Sequence, residues 1–359
     1  MIQIKRKLAA LGAAILLASC GGSDGIRFES LVSFGDSLSD VGSYKTAGIA
    51  AAGGGKYTVN GPDGKIWIDR LAATLNLPVP CAAQTGLNAT GQLAAFAGPV
   101  TDHPGCTAYG QGGSRVTNPI GPWNAALLAS PNPATAFQGQ LGQLTVPLTT
   151  QVARHLAAKG GAFSGNEIVL VLAGGNDLFM NLGSISASFT AEQAVAAMGV
   201  AGAELAALVR TQIVGKGAKF VVVVNLPNVA LTPSSLAAEV AAPGSKALTE
   251  AAVKTFNAQL SAGLNGVGGN VIYIDAYAQS VEQAANPAAF GLTNITTPAC
   301  SSTSPLNPLP GYSLTCTTAS TIAGDVSHYQ YADTVHPTPY GHQLIADRVA
   351  LEMAKFGWR

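Results

Sequence analysis

Ser30-Leu-Val-Ser-Phe34, followed at once by Gly35-Asp36-Ser37-Leu38-Ser39-Asp40, decides the fold. A short apolar run stopped by Gly and Asp reads as a buried strand feeding a tight turn. Three further runs have the same character: residues 167–172 (EIVLVL), 220–225 (FVVVVN) and 271–275 (VIYID). They are continuously apolar rather than alternating, which predicts a parallel sheet covered on both faces. Helical patterns lie between them. Thr190-Ala-Glu-Gln193 is a capping box opening an Ala-rich helix, for which Gly215 is the expected stop. Leu248, Ala252, Phe256, Leu260 and Leu264 recur every four residues as one apolar stripe. A last helix is expected over residues 339–356. This alternation predicts a doubly wound α/β domain.

Two regions break the rhythm. Residues 78–150 are rich in Pro and Gly, and residues 291–331 in Ser, Thr and Pro. Both read as loop insertions on the edge where such sheets bind ligands. Gly53-Gly54-Gly55-Lys56 lacks the spacing of a phosphate loop and reads as a flexible turn.

Composition narrows the function. The chain has 359 residues, and 19 Lys+Arg balance 19 Asp+Glu, which argues against nucleic acid as a partner. With 48% hydrophobic and 11% charged residues it is not a disordered chain. Lys5, Arg6 and Lys7 precede an apolar run over residues 8–18, the layout of an export signal and too short to span a bilayer. Leu17-Ala18-Ser19-Cys20 resembles the lipobox of bacterial lipoproteins. That resemblance implies a signal over 1–19, lipidation at Cys20, a tether over 20–29 and membrane attachment through the lipid. Gly21 rather than Asp after the cysteine implies the outer membrane of a Gram-negative envelope. Loss of the signal leaves sixteen basic against nineteen acidic residues, a net charge of −3.

Cys81, Cys106, Cys300 and Cys316 remain, an even set that reads as disulfides outside the cytoplasm. Four cysteines allow three pairings, of which Cys81–Cys106 with Cys300–Cys316 closes two short loops. No pair has C-x-x-C spacing and no His is adjacent, so no metal is expected.

The chemistry lies at the strand ends. Ser37, just after the first strand, can expose its hydroxyl at the sheet edge, or merely cap a helix. Asn176, in Gly174-Gly175-Asn176-Asp177 after the second of these strands, can donate to an oxyanion, or merely shape a turn. Tyr109-Gly-Gln-Gly-Gly113-Ser114 is a second bare turn. Asp333, three residues before His336, can hold the imidazole in the tautomer that accepts a serine proton. Asp325 and His328 repeat that spacing. The later pair is preferred because it abuts the last helix. His342 reads as a packing or surface residue, and His103 and His155 have no supporting context. Trp67 reads as core, and Trp123 as a possible wall for an acyl chain.

These blocks, in this order from residue 35 to 338, resemble the GDSL, or SGNH, hydrolases. The segment from Asn60-Gly61 to Trp67-Ile68-Asp69-Arg70-Leu71-Ala72 is similar to one in their extracellular lipase and phospholipase-like branch. The resemblance implies a three-layer, flavodoxin-like α/β/α fold with about five parallel strands, a single domain over 30–359. It implies Ser37 as nucleophile, His336 as base and Asp333 as its partner. It also implies an oxyanion hole from the Ser37 and Gly113 N–H groups and the Asn176 side chain, with Gly112 the rival to Gly113. The implied activity is hydrolysis of a small-molecule or lipid ester without a cofactor. Simple esters, lysophospholipids or phospholipids, and acylated glycans stand as alternative substrates, and a non-catalytic envelope binding lipoprotein as the alternative of another class. With no alternating barrel strands after His336, an autotransporter passenger is not expected.

Overall fold

The computed structural model describes residues 26–268 and 271–358. The expected signal, Cys20 and the first residues of the tether lie outside the described residues.

Six strands are present among them: β1 (Ser30–Gly35), β2 (Gln84–Leu87), β3 (Gly98–Asp102), β4 (Glu167–Leu172), β5 (Phe220–Val224) and β6 (Val271–Ile274). The helices are α1 (Ala47–Ala51), α2 (Trp67–Thr74), α3 (Pro133–Gly139), α4 (Leu148–Ala158), α5 (Gly175–Gly183), α6 (Ala191–Leu208), α7 (Pro233–Ala241), α8 (Ser245–Leu264), α9 (Ala276–Ala285) and α10 (Pro339–Lys355). The four apolar runs pair in the order β1-β4-β5-β6, all parallel.

Alternate side chains of each strand enter opposite faces, and both are covered. Val32, Phe34, Val169, Val171, Val221 and Val223 pack with Val152 of α4, Leu178 of α5, Leu205 of α6 and Phe256 of α8. Leu31, Ile168, Leu170, Val222, Val224 and Ile274 pack with Trp67 and Leu71 of α2 and Val349 and Met353 of α10. The result is a three-layer α/β/α sandwich. Helices α6 and α8 approach so closely that a Cβ on Gly202 would lie 2.3 Å from the Phe256 carbonyl oxygen.

Several expectations need correction. The regular parallel sheet has four strands, not about five. Beside β1, where a fifth would lie, residues 107–111 make three backbone bonds. Ser33 donates to Thr107 O, Tyr109 donates to Ser33 O, and Gln111 donates to Gly35 O. Pro104, Gly105, Gly110 and the Cys81–Cys106 bridge confine this run to an irregular edge. The Ala-rich helix does carry the Thr190–Gln193 capping box. It continues through a π-turn and a 3₁₀ turn and stops at Gly217 rather than Gly215, because Gly217 takes the left-handed φ of 102° that ends it. Residues 78–150 are more than loop, since they hold the antiparallel β2–β3 pair and α3.

The irregular regions share a smaller core of Tyr44, Ile49, Tyr57, Leu87, Leu141 and Leu314. The cysteines pair as Cys81–Cys106 and Cys300–Cys316. Trp67 is fully buried, as read.

His155 and His342 are buried, the first in a cluster with Phe34, Tyr109 and Phe163. Burial pushes His155 down to about 4, aided by the nearby Lys159 charge. Burial likewise holds His342 down at about 3, and neither of its ring nitrogens has a hydrogen-bond partner among the described residues. In both, the unfolded chain binds the proton more readily, so stability is lost as pH falls below the ordinary histidine value of about 6.5. His155→Phe should therefore show a smaller drop in melting temperature between pH 7 and pH 5 than the unchanged protein. An equal drop in both would remove His155 as a source of acid sensitivity.

Candidate active site

Gln151 of α4 clamps the end of β1: its Oε1 accepts from Gly35 N at 3.0 Å and its Nε2 donates to Gly35 O at 2.9 Å. The chain then turns sharply. Asp36 accepts from Leu38 N at 3.0 Å, and Ser37 opens a three-residue 3₁₀ turn rather than a full helix. Ser37 is 8% exposed, at the carboxyl edge of the sheet.

The His336 Nε2 atom lies 2.9 Å from Ser37 Oγ, across 299 positions of chain. Its Nδ1 lies 2.8 Å from Asp333 Oδ2 and 3.0 Å from Oδ1. An ionised carboxylate only accepts, so Nδ1 carries the proton and Nε2 is left as the acceptor facing the serine. Asp333 is held in turn by N–H donors from Ser313 at 3.0 Å, Val335 at 2.9 Å and His336 at 2.7 Å. Burial alone would raise its pKa. The His336 ring and these N–H groups outweigh that and bring it to about 2, so Asp333 is ionised at neutral pH. Tyr57 lies against the His336 ring, centroids 4.9 Å apart, and fixes it from the side. Beside the serine, burial pushes Asp36 up to about 7.

Three donors face the same space. The Gly112 N–H is bound to Asp40 Oδ2 at 2.9 Å, and the Gly112 carbonyl accepts from Tyr44 OH at 2.7 Å. That anchoring turns the next residue outward. Gly113 has a left-handed φ of 80°, and its N–H has no partner among the described residues. Gly113 rather than Gly112 is thus the glycine with a free donor. The Ser37 N–H is also uncommitted. Asn176 sits in the first turn of α5, where one amide hydrogen bonds Ser114 O at 2.8 Å and the other remains available. Its neighbour Asp177 holds the same loop through Arg115 Nε at 2.9 Å and Val116 N at 3.0 Å.

Ser37, Gly113, Asn176, Asp333 and His336 line one cleft of about 620 Å³. The rival pair does not enter it. His328 is exposed, with Nδ1 2.8 Å from Gly291 O and its ring stacked on Tyr340 at 4.2 Å. His103 bonds Thr85 at the β2–β3 pair. No group of three or more His, Cys, Asp or Glu suited to a metal occurs among the described residues.

Sequence reasoning passed over Asp40, Tyr57, Gln143, Gln151 and Tyr312. Asp40 stood in the opening motif, and only its 72-residue reach to Gly112 gives it a purpose. Gln143 donates to the hydroxyls of Tyr57 and Tyr312 at 2.6 and 3.1 Å, which ties the two irregular regions together behind the histidine. Trp123 is stacked on Tyr312 at 4.7 Å in the cleft wall.

A three-layer α/β/α sheet with a serine, a histidine and an aspartate joined at its carboxyl edge defines a class of serine-hydrolase-like proteins. Residues 31–349 match the family described as GDSL-like Lipase/Acylhydrolase, and the chain belongs to that family. It is 30% identical over 358 residues to proteins named Esterase EstA from Pseudomonas aeruginosa and Pseudomonas putida. The match covers 96% of this chain, which spans about half (50%) of the length of these curated relatives.

Proposed function

We propose that the protein is a serine carboxylic-ester hydrolase working through an acyl-serine intermediate. The observation that carries this reading is the 2.9 Å contact between Ser37 Oγ and His336 Nε2, backed by Asp333. His336 takes the Ser37 proton as Oγ attacks the ester carbonyl. The oxyanion that forms is received by the Ser37 and Gly113 N–H groups and the Asn176 amide. His336 then protonates the departing alcohol. Water, activated by the same imidazole, attacks the acyl-serine and releases the acid. Asp333 stays ionised and holds the histidine in the required tautomer. The test is hydrolysis of p-nitrophenyl esters by the purified protein together with labelling at Ser37 by a fluorophosphonate. A protein that binds esters without hydrolysing them, and does not label, would be a binding lipoprotein instead.

Asn176→Ala removes one oxyanion donor. It should lower kcat by about 10²- to 10³-fold with KM little changed, since the charge it meets exists only after attack. A rise in KM with kcat unchanged would take Asn176 out of the oxyanion hole.

The protein is further proposed to be exported and held in the envelope by lipid on Cys20. The basic residues, the apolar run and the lipobox-like LASC stretch support this, as do two disulfides that need an oxidising compartment. Expression in a Gram-negative host with labelled palmitate should mark the protein. The Cys20→Ser variant should lose both label and membrane fractionation.

A further inference from the structure

Two cavities, one of mixed polarity and one mainly apolar, open onto Ser37, Asn176 and His336. The larger, about 620 Å³, is walled by the irregular regions: Trp123, Asn132, Thr135, Gln138, Gln143 and Tyr312 among others. Its lining carries hydroxyls, amides and the stacked Trp123–Tyr312 pair but no Lys or Arg. Its charged side chain is Asp333, already engaged by His336. The smaller cavity, about 90 Å³, runs under the carboxyl ends of β4 and β5 toward α9 and α10. Leu38, Val224, Leu226, Val229, Ala276 and Ile345 give it a mainly apolar wall, with Asp36 and the amides of Asn228, Gln279 and Gln283 also on its lining.

An ester presents a chain on one side of its carbonyl and an alcohol on the other. We propose that the two cavities sort these halves: a short to medium acyl chain enters the apolar cavity, and an uncharged polyol alcohol, glycerol or a sugar, lies in the cleft against Trp123 and Tyr312. This rests on the esterase reading and deepens it. The apolar cavity, about 90 Å³ against about 620 Å³ for the cleft, is the smaller of the two, so a short to medium chain fills it and a palmitoyl chain does not fit. A polyol finds donors, acceptors and an aromatic face in the cleft. A phosphodiester would meet no cation to pair it there and an ionised Asp333 close by. The site is therefore built against phospholipid headgroups.

The test measures kcat/KM on the purified full chain with two series. In the first, p-nitrophenyl esters from acetate to palmitate should peak at about C4 to C8 and fall at least tenfold by palmitate. In the second, monohexanoylglycerol, 6-O-hexanoylglucose and hexanoyl lysophosphatidylglycerol share one chain. One or both of the neutral esters should exceed the phospholipid by at least tenfold, and their ratio distinguishes glycerol from sugar. Ala276→Leu and Val229→Phe, each checked by melting, should lower the octanoate-to-acetate ratio by about tenfold. Thr135→Lys should shift the ratio of lysophosphatidylglycerol to monohexanoylglycerol toward the phospholipid. Hydrolysis of p-nitrophenyl acetate with palmitate or the phospholipid preferred overturns the partition and leaves the esterase reading standing. No hydrolysis of any ester, with Ser37 unlabelled, overturns the esterase reading and the partition together. The wild-type profile decides the matter even where a variant does not fold.

Discussion

Ser37→Ala is expected to lower kcat for p-nitrophenyl ester hydrolysis by about 10⁴-fold or more while the protein stays folded. Among the described residues, Ser37 carries the one hydroxyl that lines both cavities, and His336 is its hydrogen-bond partner. Without it no acyl-serine forms, and water must attack a carbonyl held only by the oxyanion donors. Such donors alone retain roughly 10³- to 10⁴-fold over the uncatalysed rate in serine hydrolases, so a small residual activity is expected. KM should change little, because the cavity walls are untouched. The melting curve should change little too, since no backbone group depends on Ser37 Oγ. Fluorophosphonate labelling should vanish. Undiminished hydrolysis by the alanine variant would overturn Ser37 as nucleophile.

His336→Ala is expected to be nearly as severe, about 10⁴-fold or more in kcat, whereas His328→Ala should leave kcat unchanged. The two histidines have the same D-x-x-H context, which makes them an internal control. Members of such a unit fail together, because a base without its nucleophile, or the reverse, does nothing. His336 points Nε2 at Ser37 from a loop held by Asp333, Ser313 and Tyr57. His328 bonds a loop carbonyl and stacks on Tyr340 outside the cleft. His328→Ala therefore tests the geometry rather than the motif. Equal losses in the two variants would mean that spacing alone misassigned the base.

The elements nearest to intrinsic chemistry were the most legible. The continuous apolar strands betrayed a sheet covered twice, and the capping box at Thr190 marked its helix start to the residue. The helix stop was missed because Gly215 and Gly217 look alike in sequence, and only Gly217 takes the left-handed φ. The edge beside β1 was misread because a family's strand count says nothing about Pro104 and a disulfide confining this run. The rival glycines show the same limit. Gly112 and Gly113 are adjacent and chemically identical, and what separates them is Asp40, which takes one N–H and leaves the other.

Local pattern alone established the α/β class and the short catalogue of polar residues at strand ends. Those features depend on neighbours a few positions apart, which a sequence displays directly. Folding alone decided which histidine meets the serine, which cysteines pair, and how Tyr57, Gln143 and Tyr312 brace the imidazole. It also set a mainly apolar cavity and a cleft without Lys or Arg on two sides of one hydroxyl. Those outcomes depend on groups tens to hundreds of positions apart, brought together when two sheet faces and a third small core are buried, and no spacing along the chain encodes the distances that burial creates.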